Sequence, residues 1–427
     1  MVRKQKEDFT KYMTSVLQNS MLTGIPQIAT AGNIPKRVLR ALVFILCLVG
    51  FIYQSLIFLY MYWEYETVID VQVSSPEVIE APSMTICTLH GVQLSRICSD
   101  EKYKKKCTLL KDDEYIKWCE CAPRYCEDPD EDDDVIELKL MNISIPSYYD
   151  MRDLFFVPYD DVKKYLQPIE EFISYCRFYL TNETVLDSVC DRSYYRNTRC
   201  SGLIESAIPS CFTINTRLGK PYAKQPEVLS NGYVLIELNV NGRDYTNKFM
   251  KISTQISFHH SRTMNNPYIY GYTMYPTKKY IFRMKRVIHK RLPPPYETQC
   301  LDYFEMWKAR GGQGPTNERE CIEECQKNAS YELNGCLENH FKVPSNDRRC
   351  EVTFRNPGTL KIIQKCAKEN CRPACYEEKY EVSTDEMDLD YSVDSCTFGP
   401  TDPDRVQILV YFDGMETTVY EYSPKFQ

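Results

Sequence analysis

The sequence lacks several features that common classes of protein need. It has 52 lysine and arginine residues against 59 aspartate and glutamate residues, a net charge of −7, so no basic excess exists to displace counterions from a nucleic acid. It has only five histidines and contains no His-Glu-x-x-His, no Gly-x-Ser-x-Gly and no glycine-rich phosphate loop. We therefore expect neither a nucleic-acid-binding protein nor an enzyme, and no cofactor.

Three weaker patterns leave metal chemistry open. Asp388-Leu-Asp390 and Asp402-Pro-Asp404 could chelate a metal-bound nucleotide sugar, as in a membrane-anchored glycosyltransferase, although solvated loops are favoured in an acidic chain. Cysteine pairs such as Cys119-Glu-Cys121 could bind zinc, but few histidines lie nearby. The acidic run 127–134 could sense calcium or protons, yet it lacks the alternating spacing of a cation loop. We expect no metal site.

One uncharged apolar run is long enough to cross a membrane. It extends over residues 41–63, which as a helix cover roughly 35 Å against a hydrocarbon core of about 30 Å. A cleaved signal peptide has a shorter apolar core close to the first residue, whereas forty residues precede this run. We therefore predict a transmembrane helix over 41–63.

The charges on either side of this run predict its orientation. Residues 1–40 carry seven lysines and arginines, whereas residues 64–95 carry none. Basic residues are retained on the cytoplasmic side of a membrane. We therefore expect a plasma-membrane protein with a cytoplasmic N-terminus and most of the chain outside the cell.

Cysteines and glycosylation motifs agree with this orientation. Of the 20 cysteines only Cys47 lies within the span, and the others follow it, where an oxidising compartment favours disulfides over zinc. The Asn-x-Ser/Thr acceptors also follow it, at Asn142, Asn182 and Asn328.

Alternating apolar and polar residues predict a sheet-rich region after the span. Strands are expected within 68–73 and 81–87, and antiparallel strands within 233–240 and 279–287. Residues 406–412 and 417–422 are expected to form a hairpin that turns near Asp413-Gly414. A helix is expected over Asn317–Lys327, capped by Asn317 or Thr316.

Several motifs in a fixed order resemble the degenerin/epithelial sodium channel family, which includes acid-sensing channels. Gly24-Ile-Pro-Gln-Ile28 resembles the cytoplasmic gating motif, and Ala81-Pro-Ser-Met-Thr-Ile-Cys87 and Cys211-Phe-Thr-Ile-Asn215 resemble two of the family's strand motifs. Arg291-Leu-Pro-Pro-Pro-Tyr296 resembles the entry to its thumb domain, and Cys371-Arg-Pro-Ala-Cys375 resembles part of the thumb's cysteine ladder. The resemblance covers residues from about 15 to 427.

The resemblance implies an α+β membrane protein, in which one N-terminal transmembrane helix is joined to a large disulfide-rich ectodomain with an antiparallel β palm and helical finger and thumb elements. It implies these divisions: cytoplasmic N-terminus 1–40, transmembrane helix 41–63, palm strands 64–90, finger 91–210, palm, ball and knuckle 211–295, thumb 296–380, and final palm strands 381–427.

The resemblance also implies roles for particular residues. Thr23 and Gly24 would form the gating motif, with Thr23 where the family has histidine. Tyr296 would pack on Tyr62 or Tyr65 to couple the extracellular region to the membrane helix, although simple aromatic packing is an equal alternative. The implied disulfides are Cys87–Cys211, Cys176–Cys190, Cys300–Cys375, Cys321–Cys371 and Cys336–Cys366. Two cysteines of the family ladder are missing, so Cys325 and Cys350 are expected to pair, and Cys396 is a candidate free or interchain thiol.

The function implied is a subunit of a trimeric, voltage-independent, amiloride-sensitive sodium channel that is gated by an extracellular ligand, force or protons. Its partners would be sodium ions, the membrane, related subunits in a homo- or hetero-trimer, and an extracellular peptide or protein ligand. The family has a second span after the last palm strand, and the chain ends before it, so we expect a C-terminally incomplete sequence rather than a non-conducting partner. The alternative function is a single-pass cell-surface binding protein that conducts no ions.

Overall fold

A computed structural model describes most of the chain in two compact units. The main described ranges are 24–30, 32–89, 91–104, 159–179, 209–224, 232–245, 251–338, 371–389, 404–412 and 416–426, with shorter pieces at 9, 11–13, 15–16, 18–19, 107–109, 144–146, 188–190, 196–198, 227–229, 345–350, 361 and 364–366. Unit 1 comprises Met1–Val68, Pro295–Glu297 and Pro424–Gln427, and unit 2 comprises Ile69–Pro294 and Thr298–Ser423.

The helices and strands follow one another along the chain with long strands concentrated after residue 230. The helices are α1 Gly24–Ala29, α2 Ile34–Trp63, α3 Leu94–Ser99, α4 Glu101–Lys104, α5 Tyr159–Val162, α6 Ile169–Phe172, α7 Pro267–Tyr270, α8 Tyr303–Ala309 and α9 Glu318–Asn334. The strands are β1 Thr67–Ser74, β2 Val78–Glu80, β3 Ser83–Thr88, β4 Cys107–Leu109, β5 Ser144–Pro146, β6 Ile173–Tyr179, β7 Ser188–Val189, β8 Arg196–Thr198, β9 Ser210–Ile214, β10 Glu227–Leu229, β11 Tyr233–Asn239, β12 Thr254–His259, β13 Tyr272–Met274, β14 Lys278–Lys290, β15 Tyr376–Asp388, β16 Arg405–Tyr411 and β17 Thr417–Pro424. Short 3₁₀ turns occupy Lys163–Tyr165 and Gly242–Asp244.

Helix α2 contains the predicted span but starts earlier. It begins at Ile34 rather than at residue 41. Pro35 lies in its first turn, where the backbone N–H that proline lacks would have no hydrogen-bond partner within the helix. Lys36, Arg37 and Arg40, which precede the apolar run, are therefore helical as well, because a helix can extend beyond the apolar stretch that fits the membrane core. Among the described residues it is the one helix long and apolar enough to cross a membrane, and none of its residues is buried, whereas the core helix of a soluble protein would be largely buried.

Unit 2 is built on a mixed sheet and an antiparallel one. The larger sheet has the order β1-β17-β14-β16-β11-β6-β7, with β15 also paired to β14, and the smaller has the order β13-β12-β3-β9-β8. Apolar side chains of both sheets form one buried cluster, in which Phe258 of β12 meets Phe282 of β14 edge to face at 5.1 Å. The expectation of a wholly antiparallel palm is therefore wrong, because β14 pairs in parallel with β16 and β17.

The predicted hairpin at residues 406–422 is also wrong. Strand β15 occupies one edge of β14 along its whole length. Strand β16 pairs with Lys278–Arg283 on the other edge, and β17 pairs with Arg286–Lys290 farther along it, both in parallel. The two segments therefore run one after the other beside β14. Both segments pair with β14 rather than with each other, because the long edge of β14 offers partners to each of them.

Helix α9 begins where the sequence predicted and extends farther. The Asn317 side chain accepts a hydrogen bond from the Glu320 N–H at 2.9 Å, so Asn317 is the cap. Thr316 instead donates from its N–H and its hydroxyl to the Glu320 carboxylate, both at 2.8 Å. The helix ends at Asn334, followed by Gly335 at φ +67° in the left-handed conformation that glycine adopts readily.

The disulfides next to α9 correct two expected pairings. The structure contains Cys87–Cys211, Cys176–Cys190, Cys300–Cys375 and Cys321–Cys371 as the resemblance implied, but it pairs Cys325 with Cys366 and Cys336 with Cys350. Neither Cys336–Cys366 nor Cys325–Cys350 is formed.

The reason is geometric. Cys321 and Cys325 lie one turn apart on the same face of α9, so one returning segment supplies both of their partners. Past the helix end, backbone hydrogen bonds join Leu337 to Arg348 and Cys350 and so bring Cys336 beside Cys350. Cys396 lies outside the described residues.

Candidate functional site

The N-terminal segment of unit 1 is tied to the start of the apolar helix. Arg37 donates from Nε to the Ile28 carbonyl at 3.2 Å, and Arg40 donates from Nη1 to the Gln27 carbonyl at 2.6 Å. These arginines satisfy carbonyls at the C-terminal end of α1 that have no partner within the helix. Gly24 is the first residue of α1, whereas Thr23 lies outside the described residues. The segment that resembles a gating motif is thus hydrogen-bonded to the first turns of α2.

The other end of α2 carries an aromatic contact. Tyr65 packs edge to face against Tyr296 with ring centroids 5.8 Å apart, and Tyr62 lies 6.4 Å from Tyr65. The structure therefore brings together the three tyrosines that the resemblance singled out, with Tyr65 in the centre. Edge-to-face pairs are stabilising by about 0.5–1.5 kcal/mol beyond the area they bury.

The backbone of Tyr65 is strained. Its φ of +50° places a bulky residue in the left-handed region, which costs roughly 1–2 kcal/mol for a residue with a Cβ. Such strain persists only where the surroundings hold it, and it concentrates at functional sites. Tyr65 takes this conformation directly after Glu64, the C-cap of α2, and its ring packs on Tyr296.

The C-terminal segment of unit 1 adds a polar connection beside the tyrosines. The Lys425 N–H donates to the Glu66 carbonyl at 3.0 Å, and the Lys425 ammonium pairs with the Glu66 carboxylate. Both side chains are nearly half exposed, so the ion pair contributes at most about 1 kcal/mol. Phe426 also meets Phe58 of α2 edge to face at 5.9 Å. Nothing in the sequence alone paired Glu66 with Lys425, which are 359 positions apart.

Unit 2 contains a buried ion pair that sequence analysis did not identify. Arg286 of β14 donates to Glu378 of β15 at 2.7 Å, with side chains 15% and 1% exposed. Tyr376 and Tyr380 also donate to the Glu378 carboxylate, at 3.1 Å and 2.5 Å. Burial by itself would raise the pKa of Glu378, but the Arg286 cation and the hydrogen bond from Tyr380 outweigh it and hold that pKa below its usual range. The alternation of charges along β14 is the only sequence signal that could have suggested a cross-strand pair.

The remaining sequence-predicted sites have simpler environments. Asp388 pairs with Lys278 at 2.7 Å, and within the part of the chain that the structure describes no cluster of histidine, cysteine and carboxylate side chains could hold a metal. Asn328 is exposed on α9, whereas Ser330 of the same sequon is buried and donates to the Cys336 carbonyl at 2.9 Å. Asn142, Asn182, Asp390, Asp402 and the acidic run 127–134 lie outside the described residues.

Comparison with known proteins agrees with these features. The family model described as amiloride-sensitive sodium channel matches residues 16–427. No curated protein matches the chain significantly. Members of that family are sodium-transporting channels of the plasma membrane and not enzymes. The match extends over nearly the whole chain, and the exposed apolar helix and the disulfide-rich unit fit it. The chain therefore belongs to the amiloride-sensitive sodium channel family.

Proposed function

We propose that the chain is a subunit of a trimeric, voltage-independent sodium channel that opens in response to an extracellular ligand, force or protons. Its N-terminus would be cytoplasmic and unit 2 would be extracellular, in accord with the excess of basic residues before the span. The large sheet of unit 2 would be the palm, residues 91–210 the finger and residues 296–380 the thumb.

The observation that carries this proposal is the family match over residues 16–427, and the Tyr65–Tyr296 contact with its left-handed backbone supplies a coupling element. Both chain segments that meet the end of α2 are continuous with paired strands, since Pro295–Glu297 follows β14 and Lys425 follows β17. A shift of these strands would be carried by the covalent chain to Tyr296 and Lys425, and from there to the end of α2 by their contacts with Tyr65 and Glu66. The contact would then differ between closed and open states, and only such a difference can bias a two-state equilibrium.

The exposed edge of the large sheet supports an oligomer. Strand β1 exposes Val68, Ile69, Val71 and Val73, each by about half or more, and lies at the end of the sheet order. An apolar edge strand is a hazard for a monomer. We propose that copies of this chain or related subunits cover it in the trimer.

The test is electrical recording from oocytes that express the full-length protein. We expect a current that falls when extracellular sodium is replaced by a large organic cation and that amiloride reduces. Tyr65→Ala should shift the closed-to-open equilibrium by about 2- to 10-fold, the equivalent of one aromatic pair. Tyr65→Phe should leave it unchanged, because the described contact involves the ring.

The matched control is Tyr222→Ala, which removes a tyrosine that is 86% exposed in unit 2 and should not affect gating. If surface labelling finds the protein at the plasma membrane but acid, pressure and candidate peptides all fail to evoke current, the channel proposal is wrong and a non-conducting surface binding protein is favoured. If currents appear but Tyr65→Ala behaves like Tyr222→Ala, the channel stands and the coupling role of Tyr65 does not.

A further inference from the structure

Unit 2 contains a cavity of about 770 Å³ that the proposed function does not use. It lies among the start of β15, the loop after β12 and the region before and at the start of α9, with Phe258, His260, Arg262, Phe304, Arg319 and Tyr380 among its lining residues. Its volume is within the range of cavities that enclose small organic ligands. We call it the β12–α9 cavity.

Arg262 is the unusual residue of this cavity. Its guanidinium lies over the Phe304 ring, 4.2 Å from the ring centroid. Its Nε is buried without a hydrogen-bond partner, and among the residues that the structure describes no carboxylate pairs with it. A guanidinium on an aromatic face is partly desolvated and held in place, while its N–H groups keep the fork geometry that fits a carboxylate. Within the part of the chain that the structure describes, Arg262 is therefore a preorganised donor without an acceptor.

The other cations of the cavity already have partners. Arg319 donates to the Met264 carbonyl at 2.9 Å and to Asn265, Arg286 pairs with Glu378, and Lys379 pairs with Glu377 at 2.8 Å. These contacts fix the wall of the cavity and leave Arg262 as the group available to an incoming anion.

A second donor lies beside Arg262. The Nδ1 of His260 accepts a hydrogen bond from the backbone N–H of Arg262 at 3.3 Å, so the proton of the neutral ring is on Nε2. Burial lowers the pKa of His260 and favours the neutral ring. His260 lines the same cavity, and its Nε2–H has no acceptor among the described residues.

The acidic lining residues restrict the charge of a ligand. Glu377 and Glu378 are neutralised by their partners, and Asp302 caps α8 by accepting from the Glu305 N–H at 3.0 Å. Two further acidic residues, Glu80 and Glu318, also line the cavity, and a wall rich in carboxyl groups disfavours phosphate and other multiply charged anions. A singly charged group with an apolar body fits the aromatic lining better.

We propose that the β12–α9 cavity binds a small aromatic carboxylate, whose carboxylate is held by Arg262 with His260 as a second donor. This goes beyond the proposed channel function by naming the chemistry of a ligand, and binding does not require conduction. A binding measurement can therefore fail while the channel stands, or succeed while it fails.

The probe is indole-3-acetate, compared with indole-3-acetamide, which has the same shape without the charge. Calorimetric titration of the full-length protein in detergent micelles should show saturable binding of the acid below about 1 mM. The amide and inorganic phosphate should each bind at least tenfold more weakly than the acid, a difference in binding free energy of about 1.4 kcal/mol. Arg262→Gln should weaken binding of the acid by tenfold or more and leave binding of the amide unchanged.

Arg283→Gln is the matched control, because Arg283 is an exposed arginine paired with Asp385 outside the cavity. Unchanged binding in this variant, together with an unaltered unfolding temperature in Arg262→Gln, supports the assignment. The proposal is overturned if the acid does not bind, if acid and amide bind equally, or if Arg262→Gln binds the acid as the unchanged protein does. Tighter binding of phosphate than of the acid would also overturn it.

Discussion

Two arginines on β14 form ion pairs that differ mainly in burial, which permits a controlled test of what the buried pair contributes. Arg286 pairs with Glu378 and Arg283 pairs with Asp385, both across to β15 and both two positions from the directly opposite residue. The first pair is 15% and 1% exposed, and the second is 53% and 54% exposed. The strands and the charges are the same, whereas Glu378 also accepts hydrogen bonds from Tyr376 and Tyr380.

The expected free-energy changes differ severalfold. Arg286→Met leaves the Glu378 carboxylate buried without its cation, which should lower the free energy of unfolding by about 3–5 kcal/mol. Arg283→Met removes a solvated pair and should cost about 0–1 kcal/mol. The double variant Arg286→Met, Glu378→Met removes both charges. Its cost should fall to about 1–3 kcal/mol, since the Tyr376 and Tyr380 hydroxyls lose their acceptor.

Thermal unfolding of the full-length protein in micelles, followed by tryptophan fluorescence, measures these differences. Trp307 in unit 2 is 1% exposed, so its emission should report the loss of packing. At roughly 2 °C per kcal/mol for a large domain, Arg286→Met should lower the midpoint by about 6–10 °C and Arg283→Met by no more than about 2 °C. Equal shifts in the two single variants, or a double variant less stable than Arg286→Met, would refute the reasoning from burial.

Three further predictions concern α9 and its bridges. Burial raises the pKa of Glu323 to about 7, so the folded state retains a proton that the unfolded chain releases near the ordinary pKa of a glutamate. The stability that this proton contributes is complete below about pH 4 and is lost as the pH rises to 7. Glu323→Gln should therefore raise the unfolding midpoint at pH 8 and leave it unchanged at pH 4, and an equal change at both pH values would contradict the shift. Asn317→Ala should destabilise the protein by about 0.5–2 kcal/mol through loss of the cap, whereas Asn317→Asp should not, as thermal unfolding would show. Peptide mapping without reduction should recover Cys325 linked to Cys366, and a fragment linking Cys325 to another cysteine would contradict the ladder.

Local patterns predicted the strands and the helix cap because the relevant forces act within a few residues. The alternation of apolar and polar side chains predicted the ends of β11 and β14 to within about three residues. Asn317 was predicted as a cap because it precedes a helical pattern with acidic residues in its first turn. The apolar run indicated α2 for the same reason. Its start at Ile34 was not predicted, because a helix can begin several residues before the apolar run that it contains.

Pairing between distant segments could not be predicted in the same way. The residues after position 405 contain a turn dipeptide between two β-rich stretches, which locally indicates a hairpin. The long edge of β14 competes for both stretches and takes each of them in parallel. The pairing of Cys336 with Cys350 likewise depends on a backbone bridge near Leu337 that no spacing rule reveals.

The sequence by itself determined the apolar helix that is long enough to span a membrane, the disulfide-rich character and the family, because composition and ordered motifs are properties of the chain alone. Tertiary structure alone decided that Tyr65 takes a strained conformation against Tyr296 and that Glu66 meets Lys425. It also decided that Arg286 is buried with Glu378 while Arg262 has no acceptor among the described residues. Contacts between residues hundreds of positions apart depend on which strands pair, and that choice is made by the packing of the whole unit.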